Sequence, residues 1–196
     1  MQKRLIVFVK NPVLGTVKTR LAKSIGDSKA LEVYNDLVEK CRKECLAVDA
    51  EKHLFYSEQI SKDIWSERDF SKHIQSEGDL GEKITAAFSN TFKEQGKVII
   101  IGSDCYDLES ETIEEAFEKL DKSDVVIGPA NDGGYYLLGT NNFHPELFQK
   151  ITWSTELVLE ETIRQAKSKN LSVSLLKELI DLDTLEDLEQ SGYKLK

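Results

Sequence analysis

Six cationic side chains, Lys3, Arg4, Lys10, Lys18, Arg20 and Lys23, precede the first acidic residue, Asp27, in a chain whose formal net charge is -9. Such an uneven distribution predicts an anion site near the N-terminus. Lys10, Gly15, Lys18 and Arg20 share one loop, where lysine offers a compact charge and arginine a bidentate fork for phosphate oxygens. The loop is not a Walker A motif, because Gly15 precedes Lys18 by three residues and the Gly-x-x-x-x-Gly-Lys-Ser/Thr spacing is missing. A solvated basic loop is the competing reading of the same residues.

Two carboxylates stand out beside these cations. Asp104 follows Lys97-Val-Ile-Ile-Ile-Gly-Ser, so an apolar β-branched run delivers it to a strand end, where ligands bind in α/β folds. Asp132 lies in Gly128-Pro-Ala-Asn-Asp-Gly-Gly-Tyr-Tyr-Leu-Leu-Gly139, between two segments that read as buried strand. Gly133 and Gly134 can take φ > 0 or let a ligand approach the backbone, and Asp132 offers charge at that bend. A hairpin turn of the Asp-Gly type would have the same composition. Asp79 and Gly81, at a helix start, read as cap residues with ligand contact as the alternative, Asp107 as a cap or turn residue, Trp153 as a packing anchor or a pocket wall, and His144 has no partner of recognisable spacing.

These residues need elements to hold them. Arg4–Val9 is a continuous apolar run, expected as a strand buried on both faces. Helical spacing follows over Ser28–Val48, a strand over His53–Tyr56, and a short helix or irregular crossing over Ile60–Trp65. The chain turns polar around Ile74, and a loop to Gly81 precedes a helix over Glu82–Gln95. A strand over Lys97–Ile101, a helix over Ser110–Leu120, and strands over Asp124–Ile127 and Tyr135–Leu138 come next. A short helix around Leu147, a helix from Ser154 or Thr155 to Lys167, a strand over Leu171–Leu176 and a last helix capped by Asp183 or Thr184 complete the chain. Alternating strands and helices predict an α/β fold, a three-layer sandwich with a mostly parallel sheet.

At 196 residues the chain is expected to form a single domain, 1–196. The acidic balance argues against nucleic acid as a partner. No apolar run approaches a membrane span, and Leu5–Val9 is too short for a signal-peptide core, so a cytoplasmic location is expected. Three cysteines without zinc-site spacing read as free thiols.

Taken in order, several segments are similar to those of the DUF2064 family, bacterial proteins described as glycosyltransferase-like. They are Lys10-x-Pro-x-x-Gly-x-Val-Lys-Thr-Arg-Leu21, Asp79-Leu-Gly81, Gly102-Ser-Asp-Cys-x-Asp-Leu108, Gly128-Pro-Ala-x-Asp-Gly-Gly-Tyr-Tyr-Leu-x-Gly139, Trp153-Ser-Thr155 and Asp181-x-Asp-Thr-x-Glu-Asp-Leu188. The resemblance covers nearly the whole chain. Tyr106 stands where the family usually has proline, a change to the turn after Asp104 that leaves the carboxylate in place.

The resemblance implies a GT-A, Rossmann-like nucleotide-diphospho-sugar transferase fold, and it extends to the small nucleotidyltransferases that make molybdenum-cofactor dinucleotides or guanylylate phospholactate. It also implies a divalent cation, Mg²⁺ or Mn²⁺, with Asp104 as first ligand. Asp183 is the second candidate ligand, by similarity to the nucleotidyltransferases, with helix capping as its competing role. Lys10, Gly15, Lys18 and Arg20 would then meet the phosphates, Gly133 and Gly134 would let the ligand close to the backbone, and Asp132 would orient or deprotonate the acceptor hydroxyl. The expected activity is metal-dependent glycosyl transfer from a nucleotide-diphosphate-sugar to a small-molecule acceptor. Nucleotidyl transfer from a nucleoside triphosphate with release of pyrophosphate is the alternative, and a non-catalytic nucleotide-binding protein is a second.

Overall fold

Apolar runs that do not alternate with polar residues must be covered on both faces, and the computed structural model, which describes residues 1–92 and 95–195, provides that cover. Strands β1 (Gln2–Val9), β2 (Glu51–Tyr56) and β3 (Ser71–Ile74) pair in parallel in that order. On its other side β1 pairs in parallel with β4 (Gly96–Ile101). Beyond β4, β6 (Tyr135–Thr140) runs antiparallel both to β4 and to β5 (Val125–Pro129), and β7 (Val173–Leu175) closes that edge parallel to β5. The seven-stranded sheet thus has the order β3-β2-β1-β4-β6-β5-β7.

Alternate residues of a strand point to opposite faces. Leu5, Val7 and Val9 of β1 join one core cluster, with Cys41 and Cys45 of helix α2 (Asp27–Ala47) and Ile113 and Phe117 of α4 (Ser110–Lys119). Ile6 joins a second cluster on the other face, with Ile84 and Phe88 of α3 (Leu80–Thr91) and Ala166 of α5 (Val158–Ser168). The predicted three layers are therefore present, and each fully buried Leu, Ile or Phe contributes about 1.5–3 kcal/mol. A third, smaller cluster packs Leu21 of α1 (Thr19–Ile25), with Val33 and Leu37 of α2, against Leu182, Leu188 and Tyr193 around α6 (Leu185–Gln190). It fastens the C-terminal segment over the N-terminal loop. Among the described residues no helix is long and apolar enough to cross a membrane.

Several elements depart from the sequence expectations. The polar stretch around Ile74 contains a strand, β3: its half-buried residues pair with β2 at the sheet edge, where strong apolar patterning is not required. Residues 60–65, by contrast, form the irregular crossing that was one of the two expected readings, and Tyr56, Trp65 and Lys72 converge there on the carboxylate of Asp63. Helix α3 begins two residues before Glu82, behind a capping box between Asp79 and Glu82, and ends at Thr91; residues 93 and 94 of the helix expected to Gln95 lie outside those described. Neither Ser154 nor Thr155 caps α5, whose cap residue is Leu157. Ser154 has φ 62, and the Thr155 hydroxyl donates to the Thr152 carbonyl.

The topology fixes where a ligand can go. From β1 the chain runs outward to β2 and β3, then returns to β4 on the opposite side of β1. The β1/β4 crevice is therefore a switch point, with connections leaving to either side, and such crevices hold ligands at the carboxyl ends of the strands.

Candidate functional site

A cleft of about 370 Å³ opens at this switch point, lined among others by Lys10, Gln75, Lys83, Gly102, Asp104 and Tyr135. Each parallel strand from β1 to β4 contributes its C-terminal end or the residue after it. Lys10 follows β1, Ser57 follows β2, Gln75 follows β3 and Gly102 follows β4. The β1 and β4 ends are held from behind by α2. Tyr34 accepts from the Lys10 N–H at 2.8 Å, donates to the Lys10 carbonyl at 2.9 Å and also hydrogen-bonds Ser103. Burial drives the Tyr34 pKa well above the usual tyrosine range, so it remains a neutral phenol that positions backbone.

Asp104 meets Lys18 at the edge of the cleft. The Lys18 ammonium lies 2.9 Å from Asp104 Oδ1 and 3.4 Å from Asp183 Oδ1. Its side chain is 3% exposed, against 32% for Asp104 and 46% for Asp183, so the cation is interred while the anions face outward. Burial opposes charge on Lys18, but Asp104, Asp183 and Asp181 outweigh it and raise the lysine pKa. Lys18 also adopts a left-handed backbone, φ 49 and ψ 43, immediately before α1. That conformation costs a non-glycine residue about 1 kcal/mol or more. Arg20 reaches Asp183 Oδ2 at 3.5 Å from an exposed position.

Of the predicted site residues, the fold brings Lys18, Arg20, Asp104 and Asp183 into one cluster and sets Lys10 in the adjoining cleft. Capping does not occupy Asp183. Thr184 caps α6 instead, in a capping box with Asp187, which leaves the Asp183 carboxylate for Lys18 and Arg20. Gly15 lies in an exposed turn closed by a hydrogen bond from Thr16 N–H to the Val13 carbonyl.

The stretch from Gly128 to Gly139 is the β5–β6 hairpin, so the turn reading describes its geometry. Asp132 is exposed and accepts the Gly134 N–H on Oδ1 at 2.9 Å. Gly133, at φ 85, packs so closely on Glu156 that a Cβ would run into that residue's backbone. Protein packing alone therefore accounts for glycine at position 133.

Asp181, Lys83 and Gln75 are among the cleft and cluster residues that carried no role in the sequence reading. Asp181 has a recognisable signal. In Asp181-Leu182-Asp183 both carboxylates act on Lys18, while Leu182, fully buried, joins the third cluster. Burial and then Asp104 push the Asp181 pKa up to about 7, with Asp132 and Asp183 adding and Lys18 opposing. Asp181 N–H donates to Asn131 Oδ1 and Leu182 N–H to the Asp104 carbonyl, so the hairpin, the β4 end and the C-terminal segment are stitched at one place. Lys83 and Gln75 reach the cleft only through the packing of α3 and β3.

Among the described residues, no group of three or more His, Cys, Asp or Glu side chains is arranged to hold a metal ion. The donor set nevertheless fits a hard cation in part. Asp104 and Asp183 already share one positive charge, and two carboxylates completed by phosphate oxygens and water are a usual environment for Mg²⁺. The position between them is taken by the Lys18 ammonium.

A Rossmann-like α/β fold with its cleft at the central switch point is that of the nucleotide-diphospho-sugar transferases and nucleotidyltransferases. The chain belongs to the DUF2064 family: residues 39–155 match that family, whose description is "uncharacterized protein conserved in bacteria". The crystal structure of a Desulfovibrio desulfuricans G20 protein, assigned provisionally as a nucleotide-diphospho-sugar transferase, is similar at 32% identity and a TM-score of 0.87, over 96% of this chain and 85% of that one. The inositol-1-phosphate CTP transferase of T. maritima shares the fold at 14% identity and a TM-score of 0.61, over 95% and 91% of the two chains. So does Rv0371c of Mycobacterium tuberculosis H37Rv in complex with manganese, at 11% identity and a TM-score of 0.55, over 97% of each. No curated protein matches the sequence.

Proposed function

We propose that the protein is a metal-dependent transferase that takes a nucleotide-diphosphate-sugar as donor and passes the sugar to a small hydroxyl-bearing acceptor. The observation that carries this reading is the carboxylate pair Asp104 and Asp183 on Lys18, at the edge of a cleft that also holds Lys10 and Lys83. The Desulfovibrio relative, similar over nearly the whole chain, supports the donor class.

The nucleoside occupies the β1/β4 cleft, where its diphosphate is met by Lys10, Lys83 and, on the side of α1, Arg20 and Lys18. Asp104 and Asp183 are the residues that would hold Mg²⁺ or Mn²⁺. When bound, such an ion neutralises the charge that builds on the departing diphosphate. Lys18 contributes positive charge at the same place, in a buried setting where its interaction with phosphate oxygens is stronger than in water. Asp132, on the hairpin tip, orients or deprotonates the acceptor hydroxyl. Tyr34 keeps Lys10 in place and takes no part in proton transfer.

The test is a thermal-shift screen of nucleoside diphosphates, triphosphates and nucleotide-sugars, with and without Mg²⁺ or Mn²⁺, followed by product analysis. Metal-linked stabilisation by a nucleotide-sugar and release of nucleoside diphosphate is the expected result. Release of pyrophosphate from a triphosphate would instead establish nucleotidyl transfer. Binding without turnover of either donor class would make the protein a nucleotide-binding protein without catalysis, and no metal-linked stabilisation by any nucleotide would remove the site.

A further inference from the structure

A second concavity, of about 780 Å³, lies against α3, whose N-terminal turns also wall the nucleotide cleft. Leu80, Lys83 and Ile84 face the cleft, whereas Asp79, Gly81, Glu82 and Thr85 line the second groove. Trp153, Phe143 and Gln149 line it as well, with the Trp153 ring in contact with Gly81. We infer that this groove is the acceptor subsite and that it takes a neutral, hydroxyl-rich ring, a pyranoside or a cyclitol. The word acceptor rests on the transferase reading; the ring-binding site rests on the groove itself.

Trp153 packs against the second core cluster with part of its ring still exposed to the groove. Its indole is half-buried and rests on Gly81 so closely that a Cβ there would run into the ring. The loop that carries it has two left-handed non-glycine residues, Lys150 at φ 58 and Ser154 at φ 62. Backbone in that region costs about 1–3 kcal/mol per residue and persists only where the surroundings over-determine it. Here Thr152 N–H donates to Glu161 Oε2 at 2.6 Å, its hydroxyl donates to Oε1 at 3.3 Å, and Thr155 closes back on the Thr152 carbonyl at 2.6 Å. The loop then runs to Glu156, against Gly133 of the Asp132 hairpin, whose carbonyl accepts the Leu159 N–H at 2.9 Å. One hydrogen-bonded segment thus joins the aromatic wall of the groove to the tip that carries Asp132.

The lining selects the chemistry. A flat aromatic surface covers the C–H face of a sugar ring, while carboxylates, an amide and hydroxyls around it answer ring hydroxyls. Asp79 and Glu82 each spend one oxygen on the capping box, Oδ1 and Oε2, so each keeps a second acceptor. Two carboxylates against Lys150 disfavour a phosphorylated or carboxylated acceptor. The basic residues gathered for phosphate are in the other cleft.

Saturation-transfer NMR on the full chain with methyl β-D-glucopyranoside, methyl α-D-mannopyranoside and myo-inositol, with glucose 1-phosphate as anionic comparator, tests the site. Tryptophan fluorescence locates it, because Trp65 is 2% exposed and Trp153 is the other of the two tryptophans. At least one neutral probe should bind saturably, shift the emission, and bind roughly tenfold more weakly to Trp153→Ala. Gly81→Ala should weaken it similarly, since the methyl displaces the indole while alanine favours the helix. Nucleotide-linked thermal shifts should survive in both variants. No saturable binding of any neutral probe, preference for glucose 1-phosphate, or unchanged binding in both variants would overturn the inference. Ring binding without nucleotide binding would overturn the transferase reading and leave this site standing.

Discussion

The end of β4 and the tip of the β5–β6 hairpin both offer an aspartate within two residues of a glycine after a buried strand, yet the fold uses them in opposite ways. At β4 the backbone is immobilised from outside. Tyr34 and Cys41 approach Ser103 and the Gly102 carbonyl, and Leu182 N–H holds the Asp104 carbonyl at 3.1 Å. The Asp104 carboxylate is thereby free to meet a buried lysine. At the hairpin, Asp132 Oδ1 is spent on the N–H of Gly134, two residues on, and the tip is braced by Glu156. A carboxylate whose own loop does not need it can bind a charged ligand, whereas one that makes its own turn is first a structural group.

The largest effect that would test this contrast is expected from Asp104→Ala, which removes the strand-end carboxylate without touching a turn. Transfer should fall by on the order of 10²–10³, and the metal-linked thermal shift should vanish while the metal-free melting curve keeps its cooperativity. Retention of the metal effect would show that Asp104 is not a ligand.

Gly133→Ala comes next. Its cost combines a left-handed φ with a collision against Glu156 and should reach about 1–3 kcal/mol in denaturant unfolding. A neutral outcome would mean that the hairpin tip is not braced as described.

Asp181 gives a pH-dependent comparison. Its folded pKa, about 7, lies above the ordinary aspartate value, so the folded state holds a proton that the unfolded chain releases. Its contribution is therefore present at acid pH and lost as pH rises from the ordinary aspartate range through about 7. Asp181→Asn should raise the melting temperature at pH 8 and do little at pH 4, read by calorimetry on metal-free protein; equal effects at both would contradict the burial of like charge there.

The smallest stability change is expected from Asp132→Asn. The amide oxygen still accepts the Gly134 N–H, so unfolding free energy should move by less than about 0.5 kcal/mol. The rate of transfer then separates the roles, falling by on the order of 10² or more if Asp132 deprotonates the acceptor and remaining near wild type if it only makes the turn.

Much of this protein is determined within short windows of its sequence. Unbroken apolar runs at Leu5–Val9 and Val98–Ile101 specify interior strands, because only a sheet covered on both faces can bury them. A strand followed at once by Gly102-Ser-Asp104 specifies a strand-end carboxylate, and Thr184 with Asp187 specifies a helix start. Local pattern could not reveal β3, whose half-polar edge position demands no apolar signature, nor the placement of Lys83 and Gln75 in the cleft. It placed Lys18 in a basic loop for phosphate but was silent on its carboxylate partners. Whether a lysine lies in solvent or between two carboxylates depends on Asp104 and Asp183 being carried to it from residues far along the chain. Leu182 and Leu188 achieve this by packing on Leu21 and Leu37, a contact set by apolar burial between distant segments, and no local spacing encodes it.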